Sequence, residues 1–368
     1  MSSTPVPANF TEILRLFPLP GRFLTAAPYG SGHINDTYVV HYDAGQPAPK
    51  RYVAQRINHN IFKNVPALME NVQRVTAHLT AQTGPNSRAL ALVLANDGRA
   101  VIQDEAGGWW RIYDFVEGAH TVDRVTNEAE AREAAMAFGQ FQAQLADLPG
   151  GRLQETIPNF HHTRSRFENF RRAVQEDKAG RAGEVRADID FAFSRETDAD
   201  VLLNLLAQGQ VSERVTHNDT KINNVMLDDA THRAVAVIDL DTVMPGLPLY
   251  DFGEMMRTSA SSTAEDDPVA ENMRLIVPYF RVLVNGYLDS AVGAVLNATE
   301  RAHLGFAGKL MTYENGLRFL TDYLQGDTYY KIKHPRHNLD RCRTQFALVR
   351  SIEANQGEMN RILETLNT

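Results

Sequence analysis

The segment that most restricts the fold of this chain is a polar loop set between apolar stretches at residues 215–242. It fits the pattern H-x-D-x-K-x-x-N, whose members are His217, Asp219, Lys221 and Asn224. Asp239 follows twenty residues after Asp219, at the end of an apolar run. Residues 225–229 and 234–241 have the apolar, β-branched composition of short strands. A strand–loop–strand arrangement would bring these polar side chains to one edge.

These residue types are the ones that phosphoryl transfer from a nucleotide requires. Asp219 is the candidate base that orients an acceptor hydroxyl and takes its proton, and Lys221 is the candidate cation for the γ-phosphate. Mg²⁺ prefers oxygen ligands, so Asn224 and Asp239 are the predicted metal ligands. Asp241 is expected to assist through a second ion or by orienting water. The less favoured alternative is a polar loop whose Asp and Asn residues only form turns.

Composition excludes several other classes of protein. The 368 residues include 37 Lys and Arg against 45 Asp and Glu, a formal charge of −8, which disfavours binding to nucleic acid or anionic membranes. Cys342 is the only cysteine, so neither an intramolecular disulfide nor a cysteine-based zinc site is expected. No apolar run approaches the ~18 residues of a membrane-spanning helix. We therefore expect a cytoplasmic protein, and its oligomeric state stays open.

The strand-like segments concentrate in the first part of the chain. Residues 29–42 and 50–57 alternate in the manner of strands, 65–82 has a helical apolar stripe, and 100–115 predicts a hairpin around Gly107. The later helix candidates are 127–146, 160–178, 197–209, 269–291, 298–325 and 340–366. The shift predicts a β-rich lobe at 1–118 and a mainly helical lobe at 119–368, which carries the polar loop.

At this point the sequence resembles a known family. The loop at 217–224 followed by IDLDT resembles the catalytic and metal loops of the aminoglycoside phosphotransferase–choline kinase superfamily, which are relatives of protein kinases. More narrowly, five blocks are similar to N-acetylhexosamine 1-kinases: GHINDTY (32–38), HNDTKINN (217–224), IDLDTVMPG (238–246), YDFGE (250–254) and LRFLTDYLQGD (317–327). The resemblance implies an α+β, bilobed, protein-kinase-like fold. It also implies ATP- and Mg²⁺-dependent phosphorylation of the anomeric hydroxyl of GlcNAc or GalNAc.

The resemblance adds nucleotide and sugar contacts to the candidate site. A glycine-containing turn between two strands can cover phosphates with its N–H groups, and its members here are Gly30, Ser31 and Gly32. His33 and Asp36 become candidates for contacts to sugar hydroxyls. The backbone around Tyr113 and Phe115 lies where kinase-like proteins hold the adenine, while the side chain of Tyr113 is expected to pack within the sheet.

The third strand departs from the kinase pattern. Kinase relatives carry a lysine there that reaches the phosphates and pairs with a helix glutamate. YVAQRIN (52–58) offers Gln55 and Arg56 instead. Arg56, paired with Glu70, is the candidate replacement, but strand alternation equally allows Arg56 to face solvent.

Arg318 has two interpretations. Glu314, Arg318 and Asp322 fall at helical spacing, which is typical of an exposed salt-bridge ladder. The resemblance instead implies that this arginine contacts the sugar, since its five donors suit adjacent hydroxyls. Asp251, in YDFGE, is expected to be structural and to brace the catalytic segment.

Two rival functions stay open at the level of the sequence. A kinase of the same fold could act on another sugar, an aminoglycoside or choline. The missing strand lysine is also compatible with a non-catalytic pseudokinase that binds sugar or nucleotide, although the presence of Asp219, Lys221, Asn224 and Asp239 argues against it.

Overall fold

The computed structural model describes residues 4–30, 34–83 and 88–366. Its strands are β1 (Arg22–Pro28), β2 (Asp36–Asp43), β3 (Lys50–Ile57), β4 (Leu92–Val93), β5 (Ile102–Gln103), β6 (Trp109–Asp114), β7 (Ala119–His120), β8 (Arg214–Thr216), β9 (Val225–Asp228), β10 (Ala234–Val237) and β11 (Met244–Gly246). Its α-helices are α1 (Phe10–Leu14), α2 (Val65–Thr83), α3 (Glu128–Gln144), α4 (Thr163–Glu176), α5 (Arg186–Phe193), α6 (Val201–Ala207), α7 (Pro248–Ser259), α8 (Val277–Asp289), α9 (Ala298–Ala302), α10 (Leu304–Leu324), α11 (His337–Ala354) and α12 (Gln356–Leu366).

The N-terminal region is built on one antiparallel sheet with the order β1-β2-β3-β6-β4, and β5 pairs with β6. Successive strand residues point to opposite faces, so each strand supplies two packing surfaces. The outer face carries Tyr38, Tyr52 and Trp110, which pack with Phe10 of α1. The inner face packs against α2, whose apolar stripe includes Leu68. The sheet therefore has a core on each side.

Helix α2 is fixed to the following region of the chain by one buried amide. The Asn71 side chain is fully buried, and its Nδ2 donates to the carbonyl oxygens of Gln154 at 2.8 Å and Val243 at 3.1 Å. Its Oδ1 accepts from the Gln154 N–H at 3.0 Å. A buried amide is stable only when hydrogen-bonded, so these contacts define where α2 sits.

The C-terminal region is organised around α10, which packs against α4, α7 and α11. Gly253 of α7 permits a close approach to α10, since a Cβ there would lie 2.4 Å from the Ala307 carbonyl oxygen. Three small antiparallel pairings, β7 with β9, β9 with β10 and β8 with β11, lie where the two regions join. They carry the polar loop recognised in the sequence.

The predicted fold class is confirmed, because a β-sheet N-terminal region is followed by a helical C-terminal region. The hairpin around Gly107 and the helix at 65–82 are present as β5–β6 and α2. Helix α7 was not predicted. Its polar residues Asp251, Glu254 and Arg257 do recur at helical spacing, and eleven of its residues, these three included, are buried. Within the described residues, no helix is both long and apolar enough to cross a membrane.

Candidate active site

The loop that follows β8 carries the predicted base, and hydrogen bonds to α7 hold it in place. Pro248 occupies the first turn of that helix, a position where its missing N–H costs nothing, and Asp251 lies in the same turn. The Asp251 carboxylate is fully buried and accepts from the backbone N–H groups of His217 at 2.9 Å and Asn218 at 2.7 Å. Gln142 donates to the same carboxylate at 2.5 Å. Asp251 therefore braces the loop, in agreement with its predicted structural role.

His217 ties the loop to the strand that precedes Asp239. Its Nδ1 lies 3.3 Å from the Asp219 N–H and accepts from it, so Nε2 carries the proton that is donated to the Ile238 carbonyl at 2.9 Å. The ring also packs against the edges of Phe138 and Phe141. His217 is thus a neutral structural residue that sets the distance between Asp219 and Asp239.

Asp219 lies between a cation and an amide. Lys221 Nζ is 3.1 Å from Asp219 Oδ1, and Asn224 Nδ2 donates to the Asp219 carbonyl at 2.8 Å and to its Oδ2 at 3.2 Å. The Asp219 side chain is 25% exposed, which leaves lone pairs available to an acceptor hydroxyl. The charge of Asp219 raises the pKa of Lys221, so the ammonium stays protonated. This pair can accept a proton and balance negative charge at adjacent points.

Asn224 and Asp239 fit a hard cation. Asn224 commits its amide N–H group to Asp219, which leaves its Oδ1 as an oxygen ligand. Asp239 adopts a left-handed backbone, φ 60°, and is exposed to solvent. Although solvent reaches this carboxyl, close enclosure by protein and the charges of Asp241 and Asp219 raise its pKa to about 7. Among the described residues, no group of three or more His, Cys, Asp or Glu side chains is arranged so that it could hold a metal ion.

Asp241 is held in contacts that the sequence did not indicate. Its Oδ1 is ion-paired with Arg111 of β6, and its Oδ2 accepts from Asn35 Nδ2 at 2.6 Å. Both carboxylate oxygens are therefore engaged by the N-terminal region. The predicted role of Asp241, at a second ion or in orienting water, stays a prediction, since each oxygen that accepts one hydrogen bond keeps a further lone pair.

The N-terminal loop is described only in part. Gly30 is exposed with φ 80°, while Ser31, Gly32 and His33 lie outside the described residues. Asp36 accepts from the Thr4 hydroxyl at 2.6 Å and lies on the outer face with Tyr38. Its neighbour Asn35 points to the catalytic edge instead. Of the two sugar contacts predicted in this loop, His33 lies outside the described residues, and Asp36 shares the outer face of the sheet with Tyr38.

Arg56 does not replace the missing lysine in this structure. Strand alternation puts Gln55 on the inner face, where its Oε1 accepts from Arg111 Nε at 3.0 Å. Arg56 is on the outer face, near Gly108 in the β5–β6 turn. Glu70 pairs with Arg74 at 4.0 Å rather than with Arg56. Adjacent residues of a strand point to opposite faces of the sheet, so Gln55 and Arg56 cannot both face inward.

The backbone segment predicted to contact the adenine, around Tyr113 and Phe115, connects β6 to β7. The Tyr113 side chain is buried in the inner core, so only its backbone is available to a ligand. The Phe115 ring lies under the Arg51 guanidinium, 3.8 Å from the ring centre, and beside Tyr29. Next to it, Val116 packs with Met226 and Ala236 in a small apolar cluster. Ile238 packs against this cluster, which the sequence analysis did not identify.

Arg318 is not part of a salt-bridge ladder. Glu314 is fully buried and accepts from His161 Nδ1 at 2.9 Å, and Asp322 accepts from three backbone N–H groups at 328–330. The Arg318 guanidinium instead lies over the rings of Phe160, at 5.2 Å, and Tyr330, at 5.7 Å. The exposed-ladder interpretation is therefore wrong, because this face of α10 is turned toward the protein interior.

A second guanidinium, that of Arg166, also contacts Phe160. Arg166 donates to the Phe160 carbonyl at 3.1 and 2.8 Å, and burial followed by the charge of Arg318 lowers its pKa. His161, beside Phe160, bonds through Nε2 to the Asn218 carbonyl at 2.9 Å, which links the pocket to the catalytic loop. Among the described residues, neither arginine has a carboxylate within ion-pair distance. We call these four residues, Phe160, Arg166, Arg318 and Tyr330, the arginine pocket.

Comparison with known proteins agrees with this geometry. The sequence pattern of the phosphotransferase enzyme family, APH, matches residues 25–276. The chain is similar in structure to an aminoglycoside phosphotransferase from Alicyclobacillus acidocaldarius, with 16% identity, a TM-score of 0.58 and 99% of each chain covered. A microcompartment-associated aminopropanol kinase has 16% identity and a TM-score of 0.57, covering 95% of this chain and 97% of its own. A choline kinase from Streptococcus pneumoniae has 13% identity and a TM-score of 0.52, covering 90% of this chain and 94% of its own. At these identities the similarity shows a shared fold.

Proposed function

Because the chain belongs to the phosphotransferase enzyme family, we propose that it is an ATP-dependent kinase that phosphorylates the anomeric hydroxyl of N-acetylhexosamines. The products are the sugar 1-phosphate and ADP. The observation that carries the proposal is the Asp219 carboxylate, which is flanked by Lys221 and Asn224 and stands beside Asp239 at the join between the two regions. A chain that only bound nucleotide would not need this constellation.

In the proposed reaction the chain positions the two substrates and moves one proton. Asp219 accepts the proton of the anomeric hydroxyl as its oxygen bonds to the γ-phosphorus, and the bond from that phosphorus to the β–γ bridging oxygen breaks to release ADP. Lys221 offsets negative charge on the transferred group. Mg²⁺, when bound, would neutralise phosphate charge, and Asn224 with Asp239 would hold it. Most of the rate acceleration is expected from this positioning and electrostatics.

The arginine pocket supports a neutral, polyhydroxylated acceptor. Arg318 presents guanidinium donors, which suit vicinal hydroxyl or carbonyl oxygens, and the rings of Phe160 and Tyr330 offer apolar faces for the C–H side of a sugar. Choline and aminoglycosides are cationic, and a second guanidinium on Arg166 would repel them. These two charges therefore favour the sugar over the acceptors of the same-fold rivals.

The direct test is ³¹P and ¹H NMR of the protein with ATP, Mg²⁺ and a panel of GlcNAc, GalNAc, glucose, galactose, choline and an aminoglycoside. We expect a new anomeric phosphate signal with the N-acetyl sugars alone. Phosphate on a different acceptor would discard the sugar assignment and keep the kinase. If no acceptor reacted while ATP bound to folded protein, the pseudokinase alternative would replace this proposal.

Replacing Arg318 by alanine is expected to raise the KM for the N-acetylhexosamine about 10- to 100-fold, because a charge-assisted hydrogen bond contributes roughly 1.5–3 kcal/mol. The KM for ATP should change little. Steady-state kinetics with each substrate varied in turn provide the measurement. Arg350→Ala is the matched control, since Arg350 also lies over a phenylalanine ring, Phe191 at 4.9 Å, outside the site. An increase confined to the KM for ATP would remove Arg318 from the acceptor pocket.

A further inference from the structure

The catalytic edge needs a fixed positive charge that the third strand does not supply. In protein kinases a strand lysine and a helix glutamate form an ion pair that must be in place for phosphoryl transfer. Here the inner-face residue of β3 is the neutral Gln55, and Glu70 of α2 is directed toward Arg74. Neither half of that ion pair is therefore available at the usual position.

Arg111, on the neighbouring strand β6, places a buried guanidinium beside Gln55. Its side chain is 1% exposed, and its Nε donates to Gln55 Oε1 at 3.0 Å. Its Nη1 is ion-paired with Asp241 Oδ1 and lies 3.7 Å from the sulfur of Met69 on α2. One guanidinium thus joins β3, β6 and α2 to the segment that follows β10.

Asp241 is equally well anchored on its own side. Its main-chain carbonyl accepts from the Thr156 hydroxyl at 2.9 Å, and its Oδ2 accepts from Asn35. Asp241 stands two residues after Asp239, in the short 3₁₀ turn Leu240–Thr242. Any displacement of Asp241 would therefore be transmitted to Asp239.

A buried ion pair is costly to desolvate, and here each partner makes a further hydrogen bond, Arg111 to Gln55 and Asp241 with Asn35. Such a pair is weak evidence for a contribution to stability, since apolar residues could fill the same volume. Its geometric effect is specific, because the fork of a guanidinium fixes the direction of the carboxylate it binds. The ion pair lies between the sheet and the predicted cation-binding segment. This location suits a pair that aligns the segment with the sheet.

We propose that Arg111 is a positioning residue which, through Asp241, holds the segment bearing Asp239 against the N-terminal sheet and so takes over the role of the strand lysine–helix glutamate pair. Asn35 holds the second carboxylate oxygen of Asp241 by a hydrogen bond. The inference rests on the proposed kinase function, because it requires that the protein binds a nucleotide. It does not depend on which acceptor is phosphorylated.

The test is a double-mutant cycle with Arg111→Met, Asp241→Asn and the double variant. Two readouts are used: thermal unfolding in EDTA without nucleotide, and calorimetric binding of Mg·ADP. Each single variant leaves a buried group without its partner, so we expect a lower unfolding temperature and at least 10-fold weaker Mg·ADP binding. The double variant is charge-balanced and should recover part of both losses. Arg22→Met is the control, because Arg22 forms an exposed ion pair with Asp43 on the same sheet.

Two milder variants keep the test decisive if Arg111→Met does not fold. Arg111→Lys keeps the charge but cannot reach Gln55 and Asp241 with two separate nitrogens, so intermediate Mg·ADP affinity is expected. Asn35→Ala removes only the partly exposed contact and should weaken Mg·ADP binding about 3- to 10-fold with little change in unfolding temperature.

Three results would overturn the proposal. Single variants that unfold earlier but bind Mg·ADP normally would make the pair purely structural. Weaker binding in Asp241→Asn with normal binding in Arg111→Met would make Asp241 a direct metal ligand. Losses that simply add in the double variant would show that the two residues act independently. Separately, wild-type protein that binds Mg·ADP but phosphorylates no N-acetylhexosamine removes the acceptor assignment alone, and protein that binds no nucleotide removes the kinase proposal.

Discussion

Asp219→Asn is expected to lower kcat by about 10²- to 10⁴-fold, the usual contribution of a general base, and to leave the Kd for ATP nearly unchanged. The asparagine oxygen can still accept a hydrogen bond from the acceptor hydroxyl, but it cannot take the proton. Lys221 and Asn224, which flank the carboxylate at 3.1 and 3.2 Å, keep a polar partner in the variant. Coupled-enzyme kinetics and calorimetry measure the two quantities.

A matched control for this variant is available in the same part of the chain. Asp229→Asn makes the same chemical change at an exposed residue between β9 and β10, where Asp229 contacts His120. Its turnover should equal that of the wild type. Turnover near the wild-type value in Asp219→Asn would remove Asp219 as the base and direct attention to another acceptor of the proton.

Asp251→Ala is expected to lower the free energy of unfolding by about 3–5 kcal/mol, because the buried N–H groups of His217 and Asn218 lose their acceptor at roughly 1–3 kcal/mol each. The Gln142 amide loses a partner as well. Turnover should also fall steeply, since these two N–H groups set the path of the loop that carries Asp219. Urea unfolding followed by circular dichroism gives the stability.

Two further variants separate the brace from a general effect of removing a carboxylate. Asp251→Asn retains one acceptor oxygen and should lose less stability than Asp251→Ala. Asp190→Ala removes an exposed carboxylate paired with Arg186 and should change the unfolding free energy by less than about 0.5 kcal/mol. If Asp251→Ala were as stable as Asp190→Ala, the catalytic loop would have to be held by other contacts.

What the sequence could predict depended on how near in the chain the interacting groups are. Asp219, Lys221 and Asn224 lie within six residues, so their spacing alone predicted that they act together. Arg111 meets Asp241 across 130 residues and Asn35 meets it across 206, and no local pattern encodes such pairs. The sequence offered Arg56 as the candidate cation, and this residue lies on the outer face of the sheet.

Periodicity failed where an element is buried on every side. Around Glu314, Arg318 and Asp322 the helical spacing was correct, yet the exposed ladder inferred from it was wrong because α10 runs through the interior. Helix α7 carries a stripe of polar residues at helical spacing, Asp251, Glu254 and Arg257, and that stripe is buried as well. In both cases the pattern identifies which residues share a face, and only tertiary packing decides whether that face meets water.

The buried amide of Asn71 has a consequence for control of the enzyme. Protein kinases are switched by a swing of the helix that corresponds in position to α2, driven by phosphorylation of a distant loop. Here that swing would break three hydrogen bonds at Asn71, with each unpaired group costing roughly 1–3 kcal/mol. These three hydrogen bonds therefore hold α2 in place and oppose a kinase-like swing of this helix.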